Sequence, residues 1–291
     1  MSRPRTAQEF VHWLELGGGA RWIRTGALVL GGLVLSLIVA WKQFHGPITE
    51  ATFAQADTGR HLAAGRGFAT SVNQPQAVAA LEQRGVSFNP AHPLPELYQP
   101  PLYSLVIAAG LRVLPDAARE RLFARPPEPP DGFAADYFLL GLNLLLLWLA
   151  VGLTYWLGRE LFDQRAGWLA ALALLVSVPV WQQTLALNGT PLLMVLGLTF
   201  VICWLRVERK ATESVPWVGL VVLGLAGGGL FLAEYTAGAV MFAALGYAWL
   251  RWGGRQRFLA VAALTVGFAV VAGPWGVRNV GITGHPMALA A

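Results

Sequence analysis

The sequence predicts an all-α polytopic membrane protein with about seven transmembrane helices and a large first extracytoplasmic loop carrying juxtamembrane helices. Three observations predict it. Of 291 residues, 55% are hydrophobic and only 13% are charged, where a soluble domain carries roughly 25% charged residues. The apolar residues gather in uncharged runs near the length that crosses a bilayer, and the alternation of a membrane β-barrel is absent. Arg and Lys recur in every second short loop between those runs, as the positive-inside rule requires.

The elements follow in order. Residues 1–24 form a basic, amphipathic N-terminus with Arg3, Arg5, Arg21 and Arg24. The first uncharged run, Thr25 to Trp41, is followed by "AWKQF" with no small-residue cleavage site, so residues 25–42 are expected as a retained span. Residues 43–133 are read as one extracytoplasmic loop, residues 134–278 as a six-helix transmembrane bundle, and residues 279–291 as an extracytoplasmic end. The uncharged runs of the bundle are Tyr137–Leu157, Ala166–Leu205, Val215–Ala233, Tyr235–Leu250 and Phe258–Val277. The run from Ala166 to Leu205 is long enough for two spans and is expected to turn at "WQQTLALNGTP", where Asn188, Gly189 and Pro191 break a helix.

The loops orient this arrangement. "GRELFDQR", "RVERK" and "RWGGRQR" carry Arg159, Arg165, Arg206, Arg209, Lys210, Arg251, Arg255 and Arg257, while "WQQTLALNGTP" and "AEY" carry no Lys or Arg. The N-terminus and the three basic loops therefore belong in the cytoplasm. The assignment holds only if "PPLYSLVIAAGL" does not cross. Its uncharged part is about half the roughly 20 residues a span needs. Counting it as a span would also invert every later loop. Glu50–Ala64 and Pro101–Val113 are accordingly predicted as helices at the membrane interface.

Composition excludes some classes. No uncharged run holds an Asp, Glu, Lys, Arg or His, whereas ion-coupled transporters and pumps bury such residues near the midplane. The net charge of +5 is scattered between apolar runs, which suits headgroups rather than nucleic acid. With one cysteine, Cys203, there is no internal disulfide.

Three polar motifs lie on the predicted outer side. In "EATFAQADTGRHLAAGRGF", helical spacing puts Asp57, Arg60, His61 and Ala64 on one face. A carboxylate there could take a proton from an acceptor hydroxyl while the cations hold a phosphate leaving group. The plainer alternative is a solvated helix with a surface ion pair worth about 0.5 kcal/mol. In "ELYQPPLYSL", Glu96, Tyr98 and Gln99 precede a proline pair, either beside a lipid phosphate or as a helix start with interfacial tyrosines. In "GPWGVRNVGITGHP", Arg278 either snorkels to headgroups or binds phosphate. Gly224 and Gly228 form a GxxxG pattern that favours close helix packing. His45, Glu50, Asp57 and His61 are metal-ligand types, but their spacing matches no established site, so no cofactor is assigned and a divalent metal stays open.

Taken together, "GRHLAAGRGFATSVNQP", "YQPPLYSLVIAAGLRVL", "GRELFDQRAGWLAALALLVSVPVW" and "GPWGVRNVGITGHP" resemble the GT-C membrane glycosyltransferases. The nearest kin are bacterial lipid A aminoarabinose transferases and protein O-mannosyltransferases. The resemblance runs from about residue 25 to 291. It implies transfer of a sugar from a polyprenyl-phosphate donor to an acceptor on the outer face of a membrane, here the bacterial inner membrane. It also implies an acidic base in the first loop. An ungapped match puts Ala54 at the family's acidic position, with Glu50 and Asp57 flanking it; Asp57 is preferred for its shared face with Arg60 and His61. Arg60, His61 and Arg278 would then contact the lipid phosphate, and Glu96, Tyr98 and Gln99 would line the site. Related enzymes often carry Lys or His where Gln99 stands. They also continue beyond the "PWGVRN" stretch, so this chain reads as a fragment, a truncated product or a pared-down relative needing a partner subunit. The rival reading is a non-catalytic membrane subunit that kept the fold and lost the base.

Overall fold

The computed structural model describes residues 18–72, 74–85, 89, 92–124, 133–211 and 215–290. The predicted N-terminal amphipathic segment lies, up to residue 17, outside the described residues. The chain divides into two compact units, residues 1–45 and 46–291. The first contains one helix, α1 (Gly18–Gln43), whose apolar stretch Thr25–Gln43 is long enough to cross a membrane. Ser36 returns its hydroxyl to the Gly32 carbonyl at 2.8 Å, satisfying it within the apolar helix.

Among the described residues, the regular structure of the second unit is helical apart from one small ribbon. The part read as a loop folds into α2 (Glu50–Ala63), α3 (Pro75–Glu82), α4 (Pro101–Val113) and α5 (Asp116–Leu122). An antiparallel ribbon joins β1 (Ala69–Thr70) to β2 (Leu94–Pro95). Its strands are too short to show an alternating pattern, and the sequence does not announce them. The membrane part holds α6 (Ala134–Leu161), α7 (Gln164–Leu175), α8 (Val178–Leu185), α9 (Thr190–Lys210), α10 (Trp217–Ala233), a 3₁₀ turn (Tyr235–Ala239), α11 (Val240–Arg251) and α12 (Gly254–Thr283). This is an all-α polytopic membrane architecture.

Four helices, α1, α6, α9 and α12, are long and apolar enough to span, and the pair α7–α8, bent by 53°, makes a fifth as one broken span. The Ala166–Leu205 run thus breaks twice. It bends at Val176 and Ser177, ahead of Pro179, and turns again at residues 186–189. Proline disfavours helical geometry in the residue before it and gives no backbone donor. The expected spans Val215–Ala233 and Tyr235–Leu250 are shorter than predicted. The first folds as a 17-residue helix and the second as a 3₁₀ turn followed by a 12-residue helix.

Small residues set the bundle's tightest seam. A side chain at Gly224 would meet the Leu264 carbonyl and lie 3.0 Å from the Gly267 Cα; one at Gly228 would sit 2.8 Å from Val271. The GxxxG pattern therefore lets α10 and α12 touch backbone to backbone. Phe200, Leu220, Leu223, Met241 and Leu264 fill the core beside it.

The outer helices are clasped to the bundle by polar groups. Gly59 of α2 faces Ile107 of α4 so closely that a methyl group would lie 2.7 Å from it. The Ser104 hydroxyl donates to the Gln55 carbonyl at 3.0 Å, and Arg112 donates to the Leu62 carbonyl at 2.9 Å. The Thr52 hydroxyl reaches the Ala186 carbonyl at 3.2 Å. Tyr103, fully buried, donates to Asn143 Oδ1 at 2.8 Å with the Leu187 carbonyl at 3.0 Å. Burial pushes the Tyr103 pKa far above its ordinary value, against the opposing hydrogen bond from Asn143, so the hydroxyl remains a donor. Asn143 Nδ2 donates to the carbonyls of Thr184 and Asn188 at 3.2 and 3.1 Å. These contacts hold Leu187 at φ 58°, a left-handed backbone that costs a non-glycine residue about 1–2 kcal/mol.

At 13 residues α4 is short of the length a span needs, and it buries Tyr103, Ile107 and Leu111 against protein.

Candidate active site

Thr49 caps α2: its side chain accepts from the Thr52 amide at 3.3 Å, and Glu50 occupies the first turn, where a carboxylate suits the helix dipole. Glu50 is exposed and stands about 10 Å along the axis from Asp57. The two carboxylates therefore cannot serve the same reacting atom. Ala54, at the position where the resemblance leads one to expect an acid, is fully buried.

Asp57 and His61, one turn apart, do meet. Asp57 Oδ2 lies 3.6 Å from His61 Nε2. It accepts from the Ser71 amide at 2.5 Å and from the Thr70 hydroxyl at 3.4 Å. His61 Nε2 is also 3.1 Å from the Ser71 hydroxyl. The start of the ribbon thus holds both side chains. Arg60 points elsewhere: its guanidinium covers the Phe123 ring at 4.7 Å. The expected shared face becomes a carboxylate–imidazole pair with an adjacent stacked cation.

The proline motif builds a second cluster. Glu96 is 3% exposed, and its carboxylate accepts from the amides of Tyr98 and Gln99 at 2.8 and 2.9 Å. It thereby closes the turn that leads into Pro100 and α4, whose N-cap has no side-chain hydrogen bond of its own. Gln99 accepts from Gln55 at 3.4 Å, and the Tyr98 hydroxyl donates to Gln76 at 2.9 Å. Burial first, and the nearby Glu96 second, raise the Tyr98 pKa.

Arg278 joins this second cluster. One terminal nitrogen donates to the Glu96 carbonyl at 3.2 Å and to Asn279 Oδ1 at 2.9 Å; the other donates to the Phe68 carbonyl at 3.2 Å. Its guanidinium lies 4.4 Å from the Trp275 ring and 5.8 Å from that of Phe68, and Trp275 donates to the Tyr235 hydroxyl at 2.8 Å. The Glu96 amide also binds the Phe68 carbonyl at 3.1 Å. The ribbon is therefore held at the Phe68 end by Arg278 and at the Ser71 end by Asp57.

The structure brings Asp57 together with His61, and Glu96 together with Tyr98, Gln99 and Arg278. Glu50 joins neither group. Thr70, Ser71, Gln55 and Asn143 were invisible as site-shaping residues, because a polar residue distant in sequence carries no local signal of its partner. Among the described residues no group of three His, Cys, Asp or Glu side chains converges as a metal site.

Residues 139–275 match the family model described as dolichyl-phosphate-mannose-protein mannosyltransferase. No curated protein and no solved structure matches the chain. The matched stretch runs from α6 into α12 and so takes in most of the membrane part. With the all-α membrane fold, it makes the bundle similar to membrane glycosyltransferases of the GT-C type. The match covers a little under half of the chain and leaves α2, the ribbon, α4 and Arg278 outside it.

Proposed function

We propose that this chain transfers a sugar from a polyprenyl-phosphate donor to an acceptor hydroxyl at the extracytoplasmic face of the bacterial inner membrane, with its N-terminus in the cytoplasm. The observation that carries the reading is the Asp57–His61 pair, 3.6 Å apart, on a helix clasped to a bundle of the glycosyltransferase family. In the step, the acceptor oxygen attacks the anomeric carbon. Its proton passes to Asp57, and the bond from that carbon to the phosphate oxygen breaks with its electron pair remaining on the phosphate. His61 beside the carboxylate, and Arg60 from its place over the Phe123 ring, would meet the phosphate charge. Glu96, Tyr98 and Gln99 shape the neighbouring wall, and Arg278 holds the ribbon that orients Asp57. Ile48, Phe53, Leu105 and Val113 are exposed apolar residues on or beside α2 and α4, which suits helices seated on a membrane surface.

A second reading rests on one observation. Ala54 is fully buried and can supply no carboxylate, which fits a subunit that kept the fold without the chemistry and works with a partner membrane protein. Reconstitution with a polyprenyl-phosphate sugar separates the two. Turnover that falls in Asp57→Asn and survives in Glu50→Gln supports Asp57 as base. Turnover unaffected by either change removes the assignment. A chain without turnover that co-purifies in a larger complex supports the subunit.

A further inference from the structure

Next to the Asp57–His61 pair, the C-terminal end of α2 borders a cavity of about 230 Å³. Arg60, His61, Arg66, Arg119, Glu120 and Phe123 line it. Three guanidiniums against one carboxylate make this lining strongly cationic. Arg60 is fixed in orientation by the Phe123 ring. Arg119 reaches in from α5 while paired with Asp116, whose side chain is 85% exposed and so shields it weakly. The Arg66 side chain has no hydrogen-bond or ion-pair partner among the described residues. His61 is buried, and its Nδ1 has no partner either.

We infer that this cavity is a phosphate-binding site, and that Arg66 and Arg119 are binding residues within it alongside Arg60. A guanidinium presents paired N–H donors in the geometry that phosphate oxygens accept, and several around one cavity favour a multiply charged oxyanion over a carboxylate. Arg278, the other cation expected to hold phosphate, has its two terminal nitrogens committed to the Phe68 and Glu96 carbonyls and to Asn279. In the cavity Arg60 and Arg66 have no hydrogen-bonded side-chain partner among the described residues, and Arg119 shares one nitrogen with the exposed Asp116. The ligand is a phosphate ester at the membrane surface or the free ion, and binding requires no transfer chemistry. The site shares Arg60 and His61 with the proposed reaction, and its assignment to a lipid-linked donor rests on that reading; phosphate binding by itself does not.

The test uses the full chain in a maltoside detergent, which contains no phosphate. Binding of farnesyl phosphate, phosphatidylglycerol and inorganic phosphate is measured, with farnesol as the phosphate-free control. Farnesyl phosphate is expected to bind at least about tenfold more tightly than farnesol. Arg66→Gln and Arg119→Gln should each weaken it by about tenfold, the size of one lost charge-assisted hydrogen bond. Arg66→Lys should recover part of the loss, and Arg121→Gln, on the same helix but outside the lining, should leave affinity unchanged. Melting temperatures close to wild type confirm that the variants fold. The tightest of the three phosphates names the source: lipid-linked sugar carrier, phospholipid headgroup or free ion. Wild-type affinity in both glutamine variants, or equal binding of farnesol, overturns the inference. Phosphate binding without turnover leaves it standing while the transferase reading falls.

Discussion

Two polar clusters sit on the outer helices and draw on the same residue types, yet their hydrogen bonds end in different places. In the Glu96–Arg278 cluster nearly every strong donor and acceptor closes on backbone. The carboxylate takes two amides, and the guanidinium takes two carbonyls and an asparagine. In the Asp57–Arg60–Arg66 cluster the ribbon holds the carboxylate, but the cations around it stack or stand without partners. Charged residues near a membrane surface are thus poor evidence of a site by themselves. What separates a fastener from a binding group is whether its hydrogen-bonding capacity is already spent.

The sharpest way to break this contrast is through Asp57. Asp57→Asn should lower transfer by about 10²–10⁴-fold, the usual contribution of a general base, while leaving farnesyl phosphate affinity near wild type. Equal loss of binding and turnover would place Asp57 in the structural class with Glu96. Next in size is Glu96→Ala, which strands two amides at a buried turn. It should cost about 2–3 kcal/mol in thermal or denaturant unfolding, with phosphate affinity unchanged in the folded fraction. Gly59→Ala should cost about 1–3 kcal/mol, because its methyl group meets Ile107 where α2 and α4 touch. Arg66→Gln should shift stability by no more than about 0.5 kcal/mol, since the residue is exposed. A large stability loss there would mean that the open cluster is a fastener too. Tyr98→Phe, which removes a single exposed hydrogen bond to Gln76, should cost under about 1 kcal/mol and leave turnover intact.

The sequence reads well where the signal is local. The proline pair and the shortness of the following apolar run predict α4 as a packed helix, and it folds over Pro101–Val113. The i, i+4 spacing of Asp57 and His61 predicts their meeting. The GxxxG pattern predicts a close seam, although its partner, Gly267 on α12, is not evident from the pattern alone. Span lengths read less well. The break at Val176–Ser177 and the 3₁₀ turn after Glu234 divide apolar runs that hydropathy treats as continuous.

By itself the sequence determined the membrane class, the helices between the first span and the bundle, and the residue types gathered there. Composition, apolar run length and helical spacing are properties of neighbouring residues. Only the tertiary structure decided what those residues do. It spent the Glu96 carboxylate on the turn before α4 and Arg278 on the carbonyls of Phe68 and Glu96 that flank the ribbon. It tied Asp57 to Ser71, and it brought Arg119 across from a separate helix to face Arg60 and Arg66. These outcomes depend on contacts between segments far apart in the chain, and a hydrogen bond to a distant carbonyl leaves no mark on the residues around its donor.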